Sequence, residues 1–273
     1  MGTDTIRQHY VPCCYLENFG RNGNKGRKTE IYSLNLQSQK ICIGSVEAYA
    51  YENRFYDIES DLFPQQLLES FFVDVEGEYA SLLRQFIALA ESEVLPIKTK
   101  EELAAQFSFQ YIRTREYRNN YREILRELCN HFPQIASRFS TSKEIKDYIQ
   151  QVHNSEILGF QSANYYANLF FFRKWMILVN KSTIPFVTSD NPVCMIYHSS
   201  EYYPAITSPK TKTFIPITPT LAILMVDSSL GDWSDRDVLA LAGEEFVRAF
   251  NRHVLENATR FVFANNENLL QYL

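Results

Sequence analysis

Residues 169–193 read LFFFRKWMILVNKSTIPFVTSDNPV, and the fold turns on how this stretch is parsed. Its first part is apolar with little interruption. With Tyr165 and Tyr166 ahead of Leu169, Phe170, Phe171, Trp175 and Leu178, residues 155–179 read as a helix apolar almost all round, and such a helix belongs at the centre of a fold. Arg173 and Lys174 interrupt the run 169–179, which is far shorter than the ~20 apolar residues a membrane span requires. No membrane partner is expected. Past Asn180 the period shortens to that of strands: residues 184–188, 193–197, 213–217 and 221–226 are short apolar runs separated by Pro and polar turn residues, which predicts an antiparallel sheet. Ser234 with Asp237 reads as the cap of a last helix reaching Ala258, and Arg260-Phe261-Val262-Phe263 as a closing strand.

Toward the N-terminus, Glu30-Ile31-Tyr32-Ser33-Leu34 alternates polar and apolar residues and Lys40-Ile41-Cys42-Ile43 returns, which predicts a hairpin. Residues 20–28 (GRNGNKGRK) lack the GxxxxGK[ST] order of a phosphate-cradling loop and read as surface loop. From Pro64, apolar residues recur every three or four positions (Leu68, Phe72, Val75, Tyr79, Leu83, Phe86), the mark of an amphipathic helix. A second helix is expected over 99–131, opened by a Thr99/Glu102 capping box and stopped by Phe132-Pro133, and a third opens at Thr141 with Glu144 three residues on. Strands, then helices, then strands define an α+β class: an N-terminal hairpin and C-terminal antiparallel strands packed with a long central helical section, in one domain over 1–273.

The chain has 273 residues, 45% of them hydrophobic, enough to bury a core without disulfides or metals. Its formal charge of −5 excludes a surface that coats nucleic acid all over, so RNA or DNA would have to meet a local basic patch. Five cysteines (Cys13, Cys14, Cys42, Cys129, Cys194) with no CxxC pair fit neither a disulfide framework nor a zinc ribbon, and point to a reducing cytoplasm. The opening residues read as untargeted, since Ile6 stands where a myristoylation signal needs Ser or Thr.

Candidate chemistry gathers at a few positions. His9 precedes Pro12, whose fixed φ keeps the backbone extended, and an imidazole titrates near neutrality, so it could move a proton or ligate a metal; as a structural residue it would cap a turn. Asp190, with Ser189 and Asn191, ends a predicted strand, where a carboxylate could orient His9, act as a base or hold Mg²⁺ or Mn²⁺. The same residue types also make an ordinary hydrogen-bonded turn, and Ser189 lacks the GxSxG elbow of a nucleophile. Arg115, Arg118, Arg122 and Arg126 follow at spacings of three, four and four along the 99–131 helix, with Tyr111 beside them. That stripe could bind phosphates, although Glu116, Glu123 and Glu127 are interleaved and favour a solvated face. Arg113 falls off the stripe, near Ile112 and Phe109, and is expected to point inward and bridge a carboxylate such as Asp190. Arg126 and His131 share the R-x-x-x-x-H spacing of helical ribonucleases, but five residues rotate side chains by about 140°, so they converge only if the helix ends between them or a second subunit contributes. His153, His198 and His253 form no metal-ligand spacing.

Arg7-Gln8-His9-Tyr10-Val11-Pro12, followed by Tyr15-Leu16 and Phe19, resembles the HYVP-x-x-YL-x-x-F signature of domain of unknown function 4238. Arg113-Thr114, residues 188–193, residues 214–219, and Asn251 with Ala258 and Arg260 resemble that family's later blocks, in order. Cys13-Cys14 departs from the pattern, where a bulkier or basic residue is expected first. The resemblance implies no assigned chemistry; it implies a setting among accessory bacterial or phage genes of the defence type, and it adds Tyr10 and Asn251 to the candidate substrate-binding residues. Two readings follow. One is a hydrolytic enzyme, a nuclease acting on RNA or DNA, with His9 and Asp190 as acid/base or metal partners and Arg113 stabilising charge. The other is a non-catalytic sensor or protein-binding module in which the same blocks hold turns together and aromatic residues present a partner surface.

Overall fold

The computed structural model describes residues 5–23, 25–59, 61–89, 95–196, 207–229 and 238–271. In chain order come β1 (Arg7–His9), α1 (Cys13–Leu16), β2 (Glu30–Asn35), β3 (Lys40–Ser45), β4 (Tyr51–Asn53), α2 (Leu67–Leu89), α3 (Ile97–Ile112) and α4 (Arg115–His131). These are followed by α5 (Pro133–Ala136), α6 (Ser142–Gly159), α7 (Gln161–Phe172), β5 (Lys174–Asn180), β6 (Thr188–Ser189), β7 (Cys194–Ile196), β8 (Lys212–Thr218) and β9 (Leu221–Val226). Last are β10 (Val238–Ala242), α8 (Glu244–Asn257), β11 (Phe261–Ala264) and α9 (Glu267–Gln271). The α+β class expected from the order of elements is the observed one, and no helix among the described residues is long and apolar enough to cross a membrane.

The decisive stretch splits where one helix was expected. The α7 helix ends at Phe172, Arg173 turns extended (φ −71°, ψ 154°), and Lys174–Asn180 becomes β5, hydrogen-bonded to β9 and β10. A strand buried on both faces is a continuous apolar run, so its period does not separate it from a buried helix. Upstream, Phe160 in the left-handed conformation (φ 53°) closes α6 before α7 begins. The sheet order is β10-β5-β9-β8-β7, and the β10–β5 pair is parallel where only antiparallel pairing was expected. A second sheet runs β3-β2-β11-β6, so the predicted N-terminal hairpin is completed by the predicted closing strand.

Alternation along the five-stranded sheet sends its two faces into different cores. Trp175, Ile177, Ile215, Ile217, Ile223 and Met225 face the helices α2, α3 and α7, whereas Leu178, Phe214, Ala222 and Leu224 face α8 and the four-stranded sheet. The helix expected from Ser234, α8, starts at Glu244 instead, because Val238–Ala242 is spent on β10, and α9 follows it; Ser234, Asp237, Tyr197 and His198 lie outside the described residues.

The 99–131 helix is also two. Pro96 stands at the N-cap of α3, not Thr99. At the break Thr114 is extended and its Oγ1 accepts from Tyr117 N (3.2 Å), which caps α4. A threonine that bonds the backbone three residues on offers a helix start in the midst of a helical pattern. The Thr141 start is as expected: Thr141 Oγ1 accepts from Glu144 N (3.2 Å) and Glu144 Oε2 accepts from Ser140 N (2.7 Å).

Candidate functional site

Consecutive residues of an extended segment point to opposite sides, and this separates His9 from Tyr10 and from the Asp190 loop. The His9 Nε2–H donates to the Glu47 carbonyl (3.1 Å), and the charged groups it faces are Arg27, Glu76 and Arg113. Burial pulls its pKa below the usual histidine range, so the ring is held neutral. Tyr10 is fully buried against Phe55 and faces Asp190, Glu52, Arg115 and Arg260 instead; its hydroxyl makes no hydrogen bond to any described residue.

Arg113 points inward, as expected, but its carboxylate is Glu76 and not Asp190. One terminal nitrogen donates to Glu76 Oε1 (2.8 Å) and to the His9 carbonyl (2.6 Å), and the guanidinium lies 4.0 Å from the centre of the Phe72 ring. Tyr56 Oη donates to the Arg113 carbonyl (2.6 Å). Gln8 strengthens the same seam: its Nε2 donates to Asp57 Oδ1 (2.6 Å) and its Oε1 accepts from Tyr56 N. The HYVP segment is thereby stitched into the helical half through backbone and buried side chains.

Asp190 is fully buried and serves the turn into β11. Its Oδ1 accepts from the backbone N–H of Thr259 (2.9 Å) and Arg260 (3.2 Å), and its own N–H donates to the Phe261 carbonyl (3.0 Å). Burial raises its pKa, opposed by those amide hydrogen bonds. Ser189 Oγ accepts from Asn191 N (3.1 Å), Thr188 Oγ1 meets Tyr15 Oη (2.7 Å), and Asn191 Nδ2 donates to the Asn257 carbonyl (3.1 Å). Asn251 is spent on the strand before them, accepting from Val187 N (3.0 Å) and donating to the Pro185 carbonyl (2.9 Å). Among the described residues, no group of three or more His, Cys, Asp or Glu side chains is arranged to hold a metal ion.

The arginine stripe does not present one face. Arg115 pairs with Glu52 (3.2 Å), Arg122 donates to Asn119 (2.7 Å), and Arg126 pairs with Glu123 (2.6 Å), while Arg118 turns inward and is buried. Its Nε donates to His153 Nδ1 (2.9 Å), a terminal nitrogen donates to the Phe55 carbonyl (2.7 Å), and burial pushes its pKa down to about 10. His153 Nε2–H donates to the Ile112 carbonyl (2.6 Å); with both ring nitrogens engaged, burial and then the Arg118 charge push its pKa well below the ordinary value. A histidine with a depressed folded pKa costs nothing above the unfolded value of 6.5, and below it only the unfolded chain takes up the proton. Stability is therefore expected to fall as the pH drops below about 6.5, at a limiting slope of about 1.4 kcal/mol per pH unit for each such histidine. Urea unfolding of wild type and His153→Gln at neutral and mildly acidic pH measures this, the variant losing the His153 share of the slope.

Where the helical and sheet halves meet, a cleft of about 300 Å³ opens between Tyr111, Glu116 and Tyr117, the Asn191–Val193 turn with Met195, and Glu256–Ala258 at the end of α8. Three of the blocks noted in the sequence converge on it: the break after Arg113-Thr114, the 188–193 turn, and the stretch around Ala258. Thr259 Oγ1 donates to Glu116 Oε2 (3.3 Å), joining α4 to that stretch directly. Glu116 and Glu256 give the walls two carboxylates, the Tyr111 and Tyr117 rings meet edge to face at 5.3 Å, and among the described residues no Lys or Arg lines the cavity. The Asn191 amide oxygen beside it is out of contact with solvent and accepts no hydrogen bond from any described residue.

Sequence reasoning passed over Glu69, Glu76 and Glu256, and read Glu116 only as a partner of the arginine stripe. The first two lie seven apart on α2, on the same face and beside the buried Phe72 and Tyr79, and that register is the signal that could have found them. Burial pushes the Glu69 carboxyl up to about 7, with Arg113 opposing. Fold and cleft together define an α+β protein whose polar signature residues join two cores beside an acidic, aromatic-walled cavity. The chain belongs to the family described as Protein of unknown function (DUF4238), whose model matches residues 7–268. The search of curated proteins and the search of solved structures returned no match.

Proposed function

We propose that this chain is a non-catalytic recognition module whose cleft between α4, the 191–195 segment and the end of α8 takes an ammonium or guanidinium group of a partner molecule. The observation that carries this reading is the commitment of His9, Arg113 and Asp190 to backbone hydrogen bonds in the buried seam, while the cleft beside them is lined, among the described residues, by carboxylates and aromatic rings and by no Lys or Arg, with the Glu256 carboxylate against the His253 ring (3.1 Å). Carboxylates accept charge-assisted hydrogen bonds and tyrosine faces attract cations, so such walls suit a basic side chain of a protein partner better than a phosphate.

Calorimetric titration with Nα-acetyl-L-arginine amide and Nα-acetyl-L-lysine amide tests it. Saturable binding that weakens with added salt and falls about tenfold in Glu256→Gln is the expected result. No saturable heat, or binding untouched by both Glu256→Gln and Glu116→Gln, would count against it.

One observation favours the hydrolytic alternative. Glu69, with its carboxyl near 7, shares the surroundings of Arg113 with Glu76, and Glu76 in turn faces His9, so groups able to move a proton at neutral pH stand near a cation. On that reading a phosphodiester in RNA or DNA, with Mg²⁺ or Mn²⁺, would be the substrate.

A further inference from the structure

A second cleft, of about 640 Å³, shares no lining residue with the first. Its walls come from distant parts of the chain: Arg21 and Tyr32 from the N-terminal quarter, Thr183 from the turn after β5, and Asn265, Asn266 and Asn268 from the segment after β11. Amides and hydroxyls dominate it. Arg21 and Glu267 bring opposite charges, and Arg21 is already paired with Glu30 (3.4 Å), so the cleft has little net field to select an ion.

The walls are held in place by their own hydrogen bonds. Asn180 Nδ2 donates to the Ile184 carbonyl (2.7 Å) while its Oδ1 accepts from Ser182 N (2.9 Å), which closes the 180–184 turn on one side. On the other, Asn266 Oδ1 accepts from Asn268 N (2.9 Å). Between these fixed edges Thr183, Asn266 and Asn268 are exposed. Tyr32 supplies an aromatic surface, with the Arg21 guanidinium 5.6 Å from its ring centre.

We propose that this cleft binds a neutral carbohydrate. A sugar hydroxyl both donates and accepts, and a planar side-chain amide presents N–H and C=O side by side, so the exposed Asn266 and Asn268 together with the exposed Thr183 and Thr220 match a ligand with hydroxyls all round its rim. A pyranose also has an apolar C–H face to lay on an aromatic ring. A nucleobase, polar along one edge, fits walls with polar groups on several sides less well.

Saturation-transfer NMR of the whole chain with methyl α-D-glucopyranoside, N-acetyl-D-glucosamine and maltose, beside adenosine and uridine, tests the assignment. Transfer to the ring protons of at least one saccharide and to neither nucleoside is expected. Thr183 and Asn268 are exposed, so Thr183→Trp and Asn268→Ala leave the cores intact; the first should abolish transfer by filling the cleft, and the second should weaken binding about fivefold, the equivalent of one neutral hydrogen bond. Transfer to no saccharide, preferential transfer to a nucleoside, or saccharide signals unchanged in both variants, with circular dichroism showing each variant folded, would overturn it. Either outcome is independent of the acidic cleft, whose Glu116 and Glu256 variants touch none of these residues.

Discussion

Replacing Arg113 by alanine should lower the free energy of unfolding by about 4 kcal/mol, measured by urea denaturation at neutral pH. The side chain is buried, it is shared between the Glu76 carboxylate and the His9 carbonyl, and its plane rests on Phe72. Truncation strips both acceptors of their donor and leaves a cavity against an aromatic ring, and these losses add. Arg113→Lys should recover less than half of the loss. An ammonium is a point donor and does not reproduce the flat guanidinium stacked on Phe72 while reaching two acceptors.

Asp190→Ala should cost about 3 kcal/mol by the same measurement, because the N–H groups of Thr259 and Arg260 both lose their acceptor in a buried turn. Asp190→Asn keeps an oxygen at the bonded position and should cost less than about 1 kcal/mol. This pair of variants separates a structural carboxylate from a catalytic one. A base or metal ligand would be disabled by asparagine as thoroughly as by alanine, whereas a turn acceptor would be largely preserved.

Much of this architecture was legible before any coordinates. The hairpin at 30–43, the α2 helix, the Thr141 start, the strands β8 and β9 and the closing strand all announce themselves through period and capping chemistry. What misled was local ambiguity resolved by distant partners. WMILV forms a strand because β9 and β10 flank it on both sides, and nothing within those residues distinguishes that fate from a buried helix. The break at Thr114 depends on one side-chain hydrogen bond that a continuous helical pattern conceals. The candidate site was legible as a set of residues but not as an arrangement. His9, Arg113 and Asp190 are all buried and all hydrogen-bonded, yet His9 and Asp190 serve different parts of the seam, because Tyr10, next to His9 and facing the other way, is the one that looks toward Asp190. The carboxylates Glu76 and Glu256 escaped notice, and Glu116 was read only as a partner of the arginine stripe, because an acidic residue on an amphipathic helix ordinarily faces water.

The most direct test of a structural seam is cleavage of labelled RNA and DNA of mixed sequence by the purified chain with Mg²⁺ or Mn²⁺, run beside His9→Ala and Asp190→Asn. The expected result is no turnover of either polymer above that of a mock preparation, with the variants differing from wild type only in stability. Metal-dependent cleavage by the wild type that His9→Ala abolishes while its circular dichroism stays native would contradict it and restore the imidazole to a catalytic role.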